Sequence, residues 1–128
     1  MPARIGVAED DPEMLLVIVE TLRADVHEVE SVRDGRQLLT KLARRTERRP
    51  FDLIVSDIRM PTCSGLQIVE ALRAAHRTIP VLLMTAFSDD ETRAHAERLG
   101  VVLFDKPFAL AELSAAIARL VPPGLVAT

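Results

Sequence analysis

Five times along this chain a short aliphatic and β-branched run is followed by a longer stretch with helical apolar spacing, and that alternation admits few folds. The short runs cover residues 4–8, 26–32, 51–56, 80–85 and 101–104; the helical stretches cover 12–24, 34–45, 64–75, 88–99 and 110–120. Residues 51–56 hold the continuous apolar centre Leu53-Ile54-Val55, which implies a strand buried on both faces, as in a parallel sheet. Asp11 stands where its side chain can cap the first helix, and Pro12 suits the first helical position. Leu38, Leu39 and Leu42 share one face of the second helix, and Leu66, Ile68, Val69 and Leu72 are core candidates of the third. Gly100 marks the end of the fourth helix, and Pro122-Pro123-Gly124 the end of the fifth. Right-handed crossovers then predict an α/β fold: a doubly wound five-stranded parallel sheet of flavodoxin-like (βα)5 type, with strand order 2-1-3-4-5.

The 128 residues suit one domain, with a core over about 3–121 and a short tail at 122–128. The net charge of −3 gives no electrostatic basis for binding nucleic acid or an anionic membrane. Apolar runs such as 14–19 are too short to cross a bilayer, and the N-terminus lacks a signal-peptide pattern. Cys63 is the single cysteine, so no internal disulfide can form, which suits a reducing, cytoplasmic location. The arginine run Arg44, Arg45, Arg48, Arg49 reads as a solvated helix end, and His27, His76 and His95 as surface residues without metal-ligand spacing.

In open α/β sheets, chemistry gathers beyond the carboxyl ends of the strands. The first run ends in Glu9-Asp10-Asp11, the third in Ser56-Asp57, the fourth in Thr85 and the fifth in Asp105-Lys106-Pro107; only the second lacks a comparable group. With strands one and three adjacent, Glu9, Asp10 and Asp57 converge. Clustered carboxylates repel, and a divalent cation is the usual remedy; oxygen-only ligands point to Mg²⁺ rather than zinc. Lys106 adds a second positive charge and Thr85 a hydroxyl, which together with a carboxylate nucleophile make a complete phosphoryl-transfer site.

The stretches Val7-Ala8-Glu9-Asp10-Asp11-Pro12, Leu53-Ile54-Val55-Ser56-Asp57-Ile58-Arg59-Met60-Pro61, Leu83-Met84-Thr85-Ala86 and Asp105-Lys106-Pro107-Phe108 resemble the four signatures of response-regulator receiver domains, in order and spacing. The resemblance covers essentially the whole chain. It implies that Asp57 accepts a phosphoryl group and that Glu9 and Asp10 form the acidic metal pair, leaving Asp11 as a helix cap. The backbone carbonyl of Arg59 is implied as a further Mg²⁺ ligand. Thr85 would turn its hydroxyl inward on phosphorylation, and Lys106, before a cis Pro107, would hold a phosphoryl oxygen. Gly65 matches the glycine that opens the third helix. The implied partners are a sensor histidine kinase or histidine phosphotransfer protein and a downstream target, read out on the fourth helix, fifth strand and fifth helix. The chain would be no conventional enzyme, but a phosphoacceptor that catalyses its own phosphorylation and dephosphorylation. It would be either a stand-alone receiver or the first domain of a longer regulator.

Two features depart from that pattern. Leu103 occupies the place, three residues before the lysine, where the family carries an aromatic residue, and alternation sends Phe104 to the opposite face. Phe87, two residues past Thr85, either takes part of the aromatic role or packs on the fourth helix. Val101 and Val102 fill positions where one DNA-binding subfamily carries the acids of a pairing surface. Competing readings are a haloacid-dehalogenase-type enzyme, a flavodoxin-like cofactor binder and a receiver-fold interaction module that signals without phosphorylation. The first needs Asp-x-Asp after the first strand; the second needs a phosphate-cradling loop where three acids stand.

Overall fold

The computed structural model describes residues 3–43 and 51–121. Within them the chain alternates β1 (Arg4–Ala8), α1 (Pro12–Ala24), β2 (Glu28–Val32), α2 (Gly35–Ala43), β3 (Leu53–Asp57), α3 (Gly65–Ala74), β4 (Val81–Thr85), α4 (Asp90–Leu99), β5 (Val102–Asp105) and α5 (Leu110–Leu120). The strands form one parallel sheet in the order β2-β1-β3-β4-β5, as the alternation predicts.

Strand alternation divides the core in two. Ile5, Val7, Leu53, Val55, Leu82 and Met84 face Ile18 and Leu22 of α1 and Leu113 and Ile117 of α5. Ala8, Ile54, Val81 and Leu83 face Leu38 and Leu42 of α2 and Ile68, Val69 and Leu72 of α3. On β5, Phe104 packs on the first side and Leu103 on the second, so the two do point apart. Every residue of β1, β3 and β4 is buried, which is why these strands read as unbroken apolar runs.

The caps explain most boundaries. Asp11 accepts from the Glu13 amide, and Ser64 and Gln67 form a reciprocal capping box at α3. Asp89 caps α4, which therefore starts two residues later than periodicity indicated, and Gly100 ends it in a left-handed conformation at φ 70°. The second strand needs the larger correction: it starts at Glu28 rather than residue 26. Val26 lies in the turn after α1 at φ 68°, its amide bonded to the Arg23 carbonyl, while the Glu28 amide donates to the carbonyl of Ala3, the residue just before β1. The third strand runs to Asp57 and the fifth to Asp105, each one residue further than the apolar run, because ladder pairing continues through the polar end. The arginine run at 44–49, the last part of the second predicted helix and the stop at 122–124 lie outside the described residues.

Candidate functional site

Parallel pairing carries the ends of β1, β3, β4 and β5 to one edge of the sheet. Ala8 pairs with Ser56, Asp57 with Met84, and Thr85 with Asp105, so residues 9, 57, 85 and 106 emerge side by side. Two backbone bonds fix the ends of β3 and β5: the Ile58 amide to the Met84 carbonyl (2.8 Å) and the Lys106 amide to the Thr85 carbonyl (2.7 Å).

Glycines let the loops close. A Cβ on Gly65 would stand 2.6 Å from the Asp57 carbonyl oxygen, so only glycine allows α3 to begin against that strand end. The Gly65 amide donates to the Ile58 carbonyl at 2.9 Å. Gly35, which the linear sequence did not mark, meets a tighter constraint: its Cβ would lie 2.0 Å from the Cys63 carbonyl oxygen. No local pattern flags it, because the contact joins residues far apart in the chain.

Carboxylate oxygens of Glu9, Asp10 and Asp57 lie within 4.8 Å of one another. Glu9 is fully buried, Asp57 is 7 % exposed, and Asp10 is open to solvent. The Lys106 ammonium donates to Glu9 Oε1 at 2.5 Å and to Asp57 Oδ2 at 3.3 Å. The Asp11 amide donates to Glu9 Oε2 at 3.3 Å, so both oxygens of the buried carboxylate have partners. Burial disfavours the charged form of Lys106, but the hydrogen bond to Glu9 and the charges of Asp57 and Glu9 outweigh it and hold the pKa above the ordinary lysine value. The donor set fits a hard divalent cation: three carboxylates, no sulfur or imidazole, and one exposed side where water can complete the shell.

Thr85 is buried beside this cluster, but its hydroxyl is engaged elsewhere. It donates to the Phe87 carbonyl at 3.0 Å and accepts from the Phe87 amide at 3.1 Å. Arg59 is exposed, its guanidinium 5.8 Å from the centre of the Phe87 ring. Phe87 itself is 65 % exposed, so it does not pack in the core. The Lys106-Pro107 peptide is cis, as expected.

Other residues singled out from the sequence stand apart from this cluster. Burial pushes the Cys63 thiol pKa up, away from reactivity. His76 is exposed, and His95 Nε2 lies 3.3 Å from Glu70. His27 departs from the surface reading: it is half-buried, and its Nδ1 is shielded from solvent without a hydrogen-bond partner among the described residues.

Known proteins agree with this architecture. The profile of the response regulator receiver domain matches residues 5–118. The transcriptional regulatory protein PrrA of Mycobacterium tuberculosis is 37 % identical over 118 residues, covering 91 % of this chain and 49 % of that protein. The chain thus spans about half the length of that relative. The chemotaxis response regulator CheY4 of Vibrio cholerae superposes with a TM-score of 0.80 at 27 % identity, covering 94 % of this chain and 100 % of that one. The BeF3-activated receiver domain of DrrB, from Thermotoga maritima, gives 0.80 at 26 % identity, covering 94 % and 97 %. A family match over nearly the whole chain, on a sheet whose strand ends gather three acids, a threonine and a lysine, places this protein in the response regulator receiver domain family.

Proposed function

We propose that this chain is a phosphorylation switch in which Asp57 accepts a phosphoryl group from the phosphohistidine of a sensor histidine kinase or phosphotransfer protein. The observation that carries this reading is the convergence of Glu9, Asp10, Asp57 and Lys106 beside Thr85. An Asp57 oxygen attacks phosphorus, the bond from phosphorus to the donor nitrogen breaks, and the imidazole keeps the electron pair and takes up a proton. The acyl phosphate later loses its phosphoryl group to water, so the domain catalyses both of its own reactions.

Glu9, Asp10, Asp57 and the backbone carbonyl of Arg59 would hold Mg²⁺, whose chemistry here is to neutralise charge on nucleophile and phosphoryl oxygens. Lys106 contributes a fixed ammonium within reach of Asp57, already held there by Glu9. Thr85 supplies a hydroxyl that must leave the Phe87 backbone before it can donate to a phosphoryl oxygen. Phosphorylation thereby sets two loops in motion, after β4 and after β5, and shifts the equilibrium of the α4, β5 and α5 face that a downstream target reads. With a net charge of −3, the domain itself is not proposed to bind nucleic acid.

Incubation with acetyl phosphate and Mg²⁺, read by intact mass, tests the reading. Wild type is expected to gain one phosphate that depends on the metal, and Asp57→Asn none. Absence of the adduct from folded wild type would favour the alternative, an interaction module that signals without phosphorylation, to which Leu103 at the usual aromatic position already lends support.

A further inference from the structure

Among the helices of the described residues, α4 has the weakest hold on the core: of its ten residues only Ala96 is buried, whereas each of the other four buries three or more. Leu99 packs partly against the α2–α3 side of the core, and polar contacts add to that. At its C-terminal end the Arg73 guanidinium donates to the Leu99 carbonyl at 3.3 Å, and midway His95 meets Glu70 at 3.3 Å. At its N-terminal end three side chains meet. The Ser88 hydroxyl donates to Asp105 Oδ1, and the Arg93 guanidinium reaches Ser88 Oγ at 2.9 Å and Asp105 Oδ2 at 3.3 Å.

These three side chains complete a ring with the site. Thr85 Oγ holds the Phe87 backbone, Ser88 follows Phe87, Ser88 binds Asp105, Asp105 precedes Lys106, and the Lys106 amide returns to the Thr85 carbonyl. A hydroxyl that leaves Phe87, or an ammonium that shifts from Glu9, displaces one end of the Ser88–Asp105 contact. Leu103 has no polar atom with which to report such a change, whereas Asp105 does.

On the reading that Asp57 is phosphorylated, we propose that Asp105 is a positioning residue that latches α4, through Ser88 and Arg93, to the strand end bearing Lys106, and that phosphorylation opens this latch. The latch is built to open. The Arg93 and Asp105 side chains are 58 % and 54 % exposed, and ion pairs in such surroundings are weak and screened by salt. It works by a route that needs no rotating aromatic ring.

Hydrogen exchange of residues 88–96, followed by mass spectrometry beside the intact mass of the same sample, tests it. Without phosphodonor, Asp105→Asn and Arg93→Ala are expected to exchange roughly two- to fivefold faster than wild type, the range open to an exposed pair. Arg93→Lys, which keeps the charge, should restore most of the protection. Acetyl phosphate with Mg²⁺ should bring wild type to the rate of Asp105→Asn and add little to that variant, although the variant takes up phosphate normally. Unchanged protection in the unmodified variants, or an undiminished response to phosphorylation in Asp105→Asn, would overturn the latch. Wild type that takes up no phosphate would instead sink the switch reading and the relay with it, and faster exchange in the variants would then report a purely structural tie.

Discussion

Gly35 and Val26 show how single residues carry demands that their neighbours in the chain do not reveal. The start of α2 lies against the loop after β3, and a Cβ at Gly35 would collide with backbone rather than with a side chain that could yield. Gly35→Ala is therefore expected to lower stability by about 1–3 kcal/mol, at the upper end because the obstacle is a carbonyl. Urea unfolding followed by circular dichroism checks this, since the chain has no Trp or Tyr. Val26 errs the other way. It holds a left-handed backbone at φ 68° with its side chain 62 % exposed, so it bears the strain of a β-branched residue and gains little burial. Val26→Asn should stabilise the fold by about 1 kcal/mol in the same assay, and a loss would show that the valine packs usefully after all. Neither residue was legible beforehand. Valine reads as strand by propensity, and the turn closing α1 overrides it; Gly35 owes its necessity to residue 63. Asp57, Glu9 and Lys106 were legible because strand-end chemistry follows directly from parallel pairing.

At the scale of elements, the strands were legible to within two residues, β1, β3 and β4 because burial on both faces leaves unbroken apolar runs, and α1 and α5 matched at both ends. The fourth helix was less so: its sequence is mostly polar, and its start is set by a cap rather than by periodicity. Asp89 accepts the Thr92 amide at 2.7 Å, and that backbone bond, with a further one from the Thr92 side chain, holds the carboxyl pKa below its ordinary value of 3.8. A carboxyl depressed in the folded state stabilises above its unfolded value and loses that contribution as pH falls through the folded one. The start of α4 should accordingly fray below about pH 4 before the rest of the chain unfolds. Asp89→Asn keeps a cap of similar quality but has no proton to gain. Its α4 amides should exchange with no extra acid dependence in that window, and equal acid sensitivity in both proteins would count against the cap.

Across the whole molecule, the parallel sheet separates chemistry from one determinant of stability. The acids, Thr85 and Lys106 lie beyond the carboxyl ends of the strands, while His27 precedes β2 at the opposite end, a strand length of roughly 15 Å away. Burial holds the His27 pKa below 6.5, only partly offset by the charge of Asp25, and among the described residues its shielded Nδ1 has no hydrogen-bond partner. An unfolded chain binds that proton more readily than the folded one. The neutral imidazole is thus fully tolerated above about pH 6.5, and stability falls as the pH drops through the folded pKa. Thermal unfolding between pH 7.5 and 5 should show wild type losing stability where His27→Leu stays flatter, by an amount reduced because much of the ring still sees solvent. The distance adds a second expectation. Changes at His27 and at Asp57 share no partner, so in the double variant His27→Leu with Asp57→Asn their effects on unfolding free energy should add to within about 0.5 kcal/mol. A larger coupling would mean that the sheet transmits strain from the Asp57 end to the far edge.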